Sequence, residues 1–258
     1  MKIINAVNPD DFKTYSTAKI RERFLLDDLA QPGKINFAYT HYDRMIVGLA
    51  MPAAEAIDLP SFDILRADYF LERREMGIIN VGGDGTISAG DENFSLKKLD
   101  CLYVGKGTQK VTFASADAAK PAVFYILSAP AHTVHPTKLL KKEEAQGGAM
   151  GAAETANKRT IYRYIHKDGL QSCQLVMGLT ILETGSVWNT IPAHTHDRRM
   201  EAYFYFDVPE NQVVFHYMGE PQETRHMVVK NFGAAVSPPW SIHAGSGTTN
   251  YGFIWGMA

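Results

Sequence analysis

Cysteine is nearly absent from this chain: Cys101 and Cys173 are the only two in 258 residues. Two thiols so far apart form neither a disulfide framework nor a Cys-x-x-Cys metal or redox motif. Buried free thiols in a reducing cytoplasm are the expectation. Long apolar runs are also missing. None reaches the roughly 18 residues a membrane-spanning helix needs, and residues 1–13 carry no apolar stretch of the secretory kind. Charge of one sign is lacking too. The 26 basic and 28 acidic residues are interspersed and leave a formal net charge of -2. Without a basic stripe, neither nucleic acid nor a membrane surface is an expected partner, although a few arginines suffice to hold a small anion. Helical periodicity is scarce as well.

What is present is an ordinary soluble composition, 45% hydrophobic and 21% charged, in a chain long enough to bury a large core. One short helix is predicted after Ser16, a capping residue, with Ile20, Phe24 and Leu25 at helical spacing. From there the pattern is of short strands. In the first half they are predicted at 34–39, 44–50, 77–81, 86–88, 101–104, 111–114 and 122–127. Turn signals such as Gly82-Gly83-Asp84-Gly85 and Gly105-Lys106-Gly107 separate them. Residues 136–159 change character. They are first charged, then rich in glycine and alanine, and read as a linker. Strands resume at 160–165, 172–182, 201–206, 212–217, 226–230, 234–236 and 251–255. Many short strands at this spacing predict an all-β sandwich or barrel.

The two halves echo each other. The run from Leu71 to Ile79 resembles the run from His196 to Phe204. In that register Tyr69, Leu71 and Met76 occupy the places of His194, His196 and Glu201. The second half therefore holds polar groups where the first half holds a bare frame.

Those polar groups have the pattern of metal ligands. His194 and His196 lie two apart, which on a strand aims both imidazoles to one face. Glu201 lies at an odd offset from them, so the chain must turn at Asp197–Arg199 for its carboxylate to come back. His243 follows Pro238-Pro239, which fixes the start of a new strand. Three imidazoles and one carboxylate suit zinc, and equally iron, manganese or nickel. With four protein ligands, substrate or water adds only by raising the coordination number. His132 and His135, three apart beside prolines, aim away from each other and read as loop residues. Gly82–Gly85 lacks the Gly-Lys-Ser/Thr ending of a phosphate loop and reads as a hairpin turn.

The pattern His-x-His-x4-Glu followed by a distant proline-rich turn and histidine resembles the two metal motifs of the cupin superfamily. The glycine normally ahead of the first motif is displaced to Gly185 and the later asparagine to Asn250. Over nearly its whole length the chain is similar to the 5-keto-4-deoxyuronate isomerase family. The matching stretches include Tyr69-Phe70-Leu71-Glu72-Arg73-Arg74-Glu75, Leu102 to Gly107, Ala129 to Thr133, Trp188-Asn189-Thr190, Arg198-Arg199-Met200-Glu201, Gly219 to His226 and Phe253 to Met257. Residues 146–156 match poorly, and family members continue beyond the Trp255-Gly256-Met257 segment.

The resemblance implies two tandem cupin-like jelly-roll barrels: residues 1–135 without ligands, a linker at 136–159, and residues 160–258 with the metal. It implies a zinc-binding, hexameric, cytoplasmic ketol isomerase of pectin and uronate breakdown. Such an enzyme converts 5-dehydro-4-deoxy-D-glucuronate to 3-deoxy-D-glycero-2,5-hexodiulosonate. A related isomerase of another sugar acid and a non-catalytic sugar-binding barrel are the alternatives. An aldose–ketose shift needs a proton carrier, and Glu223 and His226 are candidates from a run dense in titratable groups. The same run also reads as a solvated hairpin. For the substrate carboxylate, Arg163, Arg198, Arg199 and Arg225 are candidates, although Arg198-Arg199 reads equally as an exposed turn or an ion pair in subunit packing. On a regular strand Tyr203 and Tyr205 share the face of Glu201, where one hydroxyl reaches substrate or both fill the barrel.

Overall fold

The computed structural model describes residues 1–258. Its strands build two barrels of the same plan, each a seven-stranded sheet folded against a four-stranded one. In the first, the large sheet runs in the order Lys2–Ile4, Lys34–Thr40, Ile46–Met51, Phe124–Pro130, Arg74–Asn80, Cys101–Val104, Lys138–Leu140. In the second the order is Gln146–Met150, Arg159–Ile165, Val176–Leu182, Gly252–Met257, Glu201–Phe206, Ala234–Ser237, Leu25–Leu26. The small sheets correspond in the same way: Ile57–Asp58, Val111–Ser115, Gly85–Ala89 and Glu92–Leu96 in one, Trp188–Asn189, Ala244–Gly247, Val214–Glu220 and Glu223–Val229 in the other. The expected tandem jelly-roll architecture is what the chain adopts.

Strand alternation sends every second side chain into a barrel and the others to the seam between the barrels. Inside the first barrel the residues are mostly apolar, among them Phe70, Leu71, Met76, Ile78, Phe113 and Ile126. The large sheets stack back to back. Tyr125 from one lies on Phe204 from the other, ring centroids 4.3 Å apart and nearly parallel. This contact needs small residues beside it: a Cβ on Gly77 would stand 2.6 Å from Ile165 Cδ1 and 2.8 Å from Met177 Sδ. Glu75 pins the seam. Its fully buried carboxylate accepts hydrogen bonds from the backbone N–H groups of Cys173 (2.7 Å), Gln174 (2.8 Å) and Leu175 (2.8 Å), and from the Tyr103 hydroxyl (2.8 Å). A first-barrel side chain thus fixes the segment that leads into the second-barrel strand Val176–Leu182.

The Ser16 prediction is met. The helix is Thr17–Phe24, and Ser16 Oγ accepts from the Lys19 N–H at 3.3 Å. A shorter helix, Pro9–Phe12, precedes it, capped by Asn8. Both pack on the second barrel, with Phe12 and Phe24 against Trp240 at ring distances of 5.2 and 6.5 Å. Leu25–Leu26 then pairs with Ala234–Ala235 of the second barrel's large sheet. A boundary at 135 therefore cuts across the packing, because residues 9–26 wall the second barrel. The expected linker at 136–159 is likewise built into the sheets. Lys138–Leu140 pairs with Cys101–Tyr103, and Gln146–Met150 pairs with Arg159–Arg163. Edge pairing uses backbone groups alone, so a segment of glycine and alanine with no side-chain pattern forms it as readily as any other.

Replacing Glu75 by alanine takes the acceptor from the buried Leu175 N–H and Tyr103 hydroxyl and from the half-buried N–H groups of Cys173 and Gln174. The expected loss of stability is about 2–3 kcal/mol, at roughly 1 kcal/mol or more per buried unsatisfied group. Urea unfolding followed by tryptophan fluorescence measures it, and a change below about 1 kcal/mol would show that the seam does not depend on this carboxylate.

Candidate metal centre

Three pieces of chain converge at the mouth of the second barrel. Glu201 opens the strand Glu201–Phe206, where alternation turns Glu201, Tyr203 and Tyr205 inward. His194 and His196 sit in the loop before it, not on a strand. The turn required at Asp197–Arg199 is present, at Asp197–Arg198. The His196 N–H donates to Pro239 O at 3.3 Å, tying this loop to the Pro238-Pro239 turn. That turn delivers His243 to the residue just before the strand Ala244–Gly247. From the first barrel, Asp43 Oδ2 accepts from the Met200 N–H at 2.6 Å and steadies the chain immediately ahead of Glu201.

The four ligand atoms of His194, His196, Glu201 and His243 lie within 4.8 Å of one another. Glu201 Oε2 is 2.9 Å from His196 Nε2 and 2.8 Å from His243 Nε2, and His243 Nε2 is 3.2 Å from His194 Nε2. Four tetrahedral donors about 2.1 Å from one ion stand roughly 3.4 Å apart, so these spacings fit one divalent cation. The chemistry agrees. Glu201 is 4% exposed, yet its ion-pair partners are imidazoles alone, with no lysine or arginine. Burial pushes its carboxyl up, but hydrogen bonds from His196 and His243 outweigh burial and hold it at about 2. Burial, with His243 and His196 alongside, pulls the His194 imidazole down, which favours the neutral form that ligates metal.

A cavity of about 310 Å³ opens over these ligands. Arg159, Ile161, Thr180, Thr190, Tyr203, Phe253 and Trp255 are among the residues that line it. Tyr203 bonds Thr190 Oγ1 at 2.7 Å, and burial next to Glu201 raises its phenol well above the usual range, so it stays protonated. Behind the ligands lies a buried polar layer. Tyr205 bonds His216 Nδ1 at 2.8 Å, His216 Nε2 bonds Ser237 Oγ at 3.2 Å, and Asn189 Nδ2 donates to the Tyr251 hydroxyl at 2.6 Å.

The other candidates fall elsewhere. Glu223 and His226 do not line the cavity. His226 is exposed on the outer face of the small sheet, its ring near Phe215 and Tyr217, and Glu223 pairs with Arg225 at 2.8 Å. Arg225 also donates to Lys13 O at 3.1 Å, so its guanidinium holds the N-terminal segment. They belong to the hairpin that the sequence also allowed. Arg198 is exposed and Arg199 half-buried, and neither lines the cavity. Arg163 shares a strand face with Arg159 and Ile161 but is exposed beyond the rim. Tyr205 lies behind the ligands rather than in the cavity. Arg159 is the cavity's arginine, and the sequence reading missed it by starting its strand one residue late. Its alternation with Ile161 and Arg163 was the available signal. His132 and His135 join no ligand group.

Comparison with known proteins follows this geometry. The KduI/IolB family pattern matches residues 26–258. The 4-deoxy-L-threo-5-hexosulose-uronate ketol-isomerase of Shouchella clausii is 56% identical over 258 residues, all of this chain and 94% of that protein. The protein of the same name from Caldicellulosiruptor bescii is 53% identical, again over all of this chain and 94% of its own. Among solved structures, an IolB-like protein from Salmonella typhimurium superposes with a TM-score of 0.73 at 16% identity, covering 91% of this chain and 92% of that one. An oxalate decarboxylase from Lactobacillus farciminis gives 0.58 at 8% identity, covering 83% and 76%. At such identities these two likenesses speak for the fold alone.

The buried layer generates a pH dependence. Burial, then the neighbouring His243, pushes the His216 imidazole down to about 3 from its ordinary 6.5. Above about pH 6.5 it is neutral folded or unfolded and contributes nothing to the slope. As pH falls below that, only the unfolded chain takes up the proton, so stability drops by about 1.4 kcal/mol per pH unit down to about pH 3. Denaturant unfolding at a series of acid pH values should show a shallower slope for His216→Gln than for the parent. Coincident slopes would show that His216 does not carry this effect.

Proposed function

This chain belongs to the KduI/IolB family, and we propose that it is a metal-dependent ketol isomerase of a keto-deoxyuronate. The reaction converts 5-dehydro-4-deoxy-D-glucuronate to 3-deoxy-D-glycero-2,5-hexodiulosonate. The observation that carries the mechanism is the ligand set: three histidines and one buried glutamate, facing a cavity with room for one sugar acid. Zinc suits this set, as do other divalent metals. A homo-hexameric assembly, a cytoplasmic location and a place in pectin and uronate breakdown complete the reading, supported by the family resemblance.

In an aldose–ketose shift a proton moves between adjacent carbons while negative charge gathers on oxygen. A divalent ion at this site supplies a Lewis acid for that oxygen. The chain's own residues orient the substrate. Tyr203, kept protonated and held by Thr190, donates a hydrogen bond to a substrate oxygen. Arg159 takes the carboxylate: it is the cavity's arginine, its Nη1 anchored on Asn157 O at 2.8 Å, and it has no acidic partner in the chain. Ile161, Phe253 and Trp255 form an apolar wall against the deoxygenated part of the sugar. Among the lining residues there is no carboxylate or imidazole beyond the four ligands.

Three measurements test this. Turnover of the open-chain keto-deoxyuronate should be abolished by a chelator and restored by zinc. His196→Ala should lose both metal and at least about 100-fold in kcat. Full turnover by metal-free His196→Ala protein would sink the mechanism. Arg159→Met should raise KM about 10- to 100-fold with a smaller change in kcat, because the arginine binds a part of the substrate that does not react. An unchanged KM would place the carboxylate elsewhere.

A further inference from the structure

The conspicuous run Tyr69 to Glu75 lies in the barrel that has no ligands, and the metal centre uses none of it. Glu75 is accounted for by the seam. Arg73 and Arg74 are not. They stand at the mouth of the first barrel, beside a cavity of about 220 Å³ bordered by Tyr39, Arg44, Leu65, Phe70, Arg73 and Arg74. This cavity is the counterpart of the metal cavity. Each is bordered by the loop leading into a corresponding strand (Arg74–Asn80, Glu201–Phe206) and by the end of the corresponding central strand, at Pro130 in one and Met257 in the other. Leu71, Met76 and Ile78 fill the interior of the first barrel, so its cavity sits outside them.

Its electrostatics are the reverse of the metal centre's. Arg74 is 6% exposed. Its guanidinium donates to Ser128 Oγ (3.0 Å), Ser128 O (2.6 Å) and Arg44 O (2.7 Å), three neutral acceptors, and it forms no ion pair. Buried charges ordinarily carry a counter-charge. Nη1, the one guanidinium nitrogen without an acceptor, is left to give a charge-assisted hydrogen bond to a carboxylate. Arg44, held in a left-handed turn, brings a second guanidinium that has no acidic partner. Arg73 brings a third, paired only with neighbouring Glu72 at 3.2 Å on the exposed side. No aspartate or glutamate borders the cavity. Burial also draws the Arg74 guanidinium down to about 10.

We propose that this first-barrel cavity is a second ligand site, one that binds a small carboxylic acid through Arg74 and Arg44, with Leu65 and Phe70 against its carbon skeleton. Where the second barrel gathers a carboxylate and imidazoles around a cation, the first gathers guanidinium groups around an anion. The proposal is independent of the reaction assigned to the metal centre.

Calorimetric titration of the zinc-loaded full chain with sodium D-glucuronate tests it, with D-glucose as the neutral control. Saturable binding of glucuronate but not glucose is expected, and it should survive in His196→Ala, where the metal centre is disabled. Arg44→Gln alters an exposed side chain and leaves the fold intact. It should weaken binding at least about tenfold, as loss of a charge-assisted hydrogen bond does. Arg74→Lys, which keeps the charge but loses the Nη1 donor, should weaken it as well. The proposal is overturned if no form binds glucuronate saturably, or if binding vanishes in His196→Ala and persists in Arg44→Gln. It is equally overturned if Arg44→Gln changes the sedimenting assembly while glucuronate does not bind, since the cavity would then receive a carboxylate from a second copy of the chain.

Discussion

The back-to-back packing of the two large sheets is the constraint on which the rest depends. Each sheet must bury two faces, one into its own barrel and one into the seam. The inward and outward residues of every central strand are therefore under separate demands. Along Glu201–Phe206 the outward Phe204 meets Tyr125 across the seam, while the inward Glu201, Tyr203 and Tyr205 are released for chemistry. Glu75 ties the two demands together. Its carboxylate reaches backbone of the second barrel, where it satisfies donors that no strand ladder satisfies.

Much of this was legible in the sequence because it rests on period and spacing. The odd offset between His196 and Glu201 required a turn, and the turn is there. The internal echo placed Met76 opposite Glu201, and both occupy the same position in corresponding strands. What was illegible rests on backbone pairing or on proximity across the chain. Gln146–Met150 carries no alternation, so its place at a sheet edge left no trace in residue type. Glu223 and His226 looked chemical because titratable groups crowd that run, but crowding in sequence does not say which face of a sheet a residue takes. Arg159 was hidden for the opposite reason, standing alone at the end of a segment that read as linker.

The two barrels share a plan yet differ in what fills them. Apolar side chains fill most of the first, below its arginine-lined mouth. The second keeps a polar layer of Tyr205, His216, Ser237 and Asn189 behind its ligands, and hydrogen bonds inside that layer fix the inward side chains. Asp43 carries the support across, holding the Met200 backbone from a turn of the first barrel. Ligand geometry in one half is thus set partly by the half that has no ligands.

The N-terminal segment bears on how the chain is made. Leu25–Leu26 emerges from the ribosome early, but its partner Ala234–Ser237 is among the last strands to appear. Until then the helices at Pro9–Phe12 and Thr17–Phe24 have only a nascent chain beside them, with Phe12 and Phe24 lacking the Trp240 they pack on. Every strand of the first barrel lies before residue 141, so that barrel can pair while the wall of the second still waits. Synthesis from the N-terminus and assembly of that wall therefore run in opposite order, and the second barrel closes last.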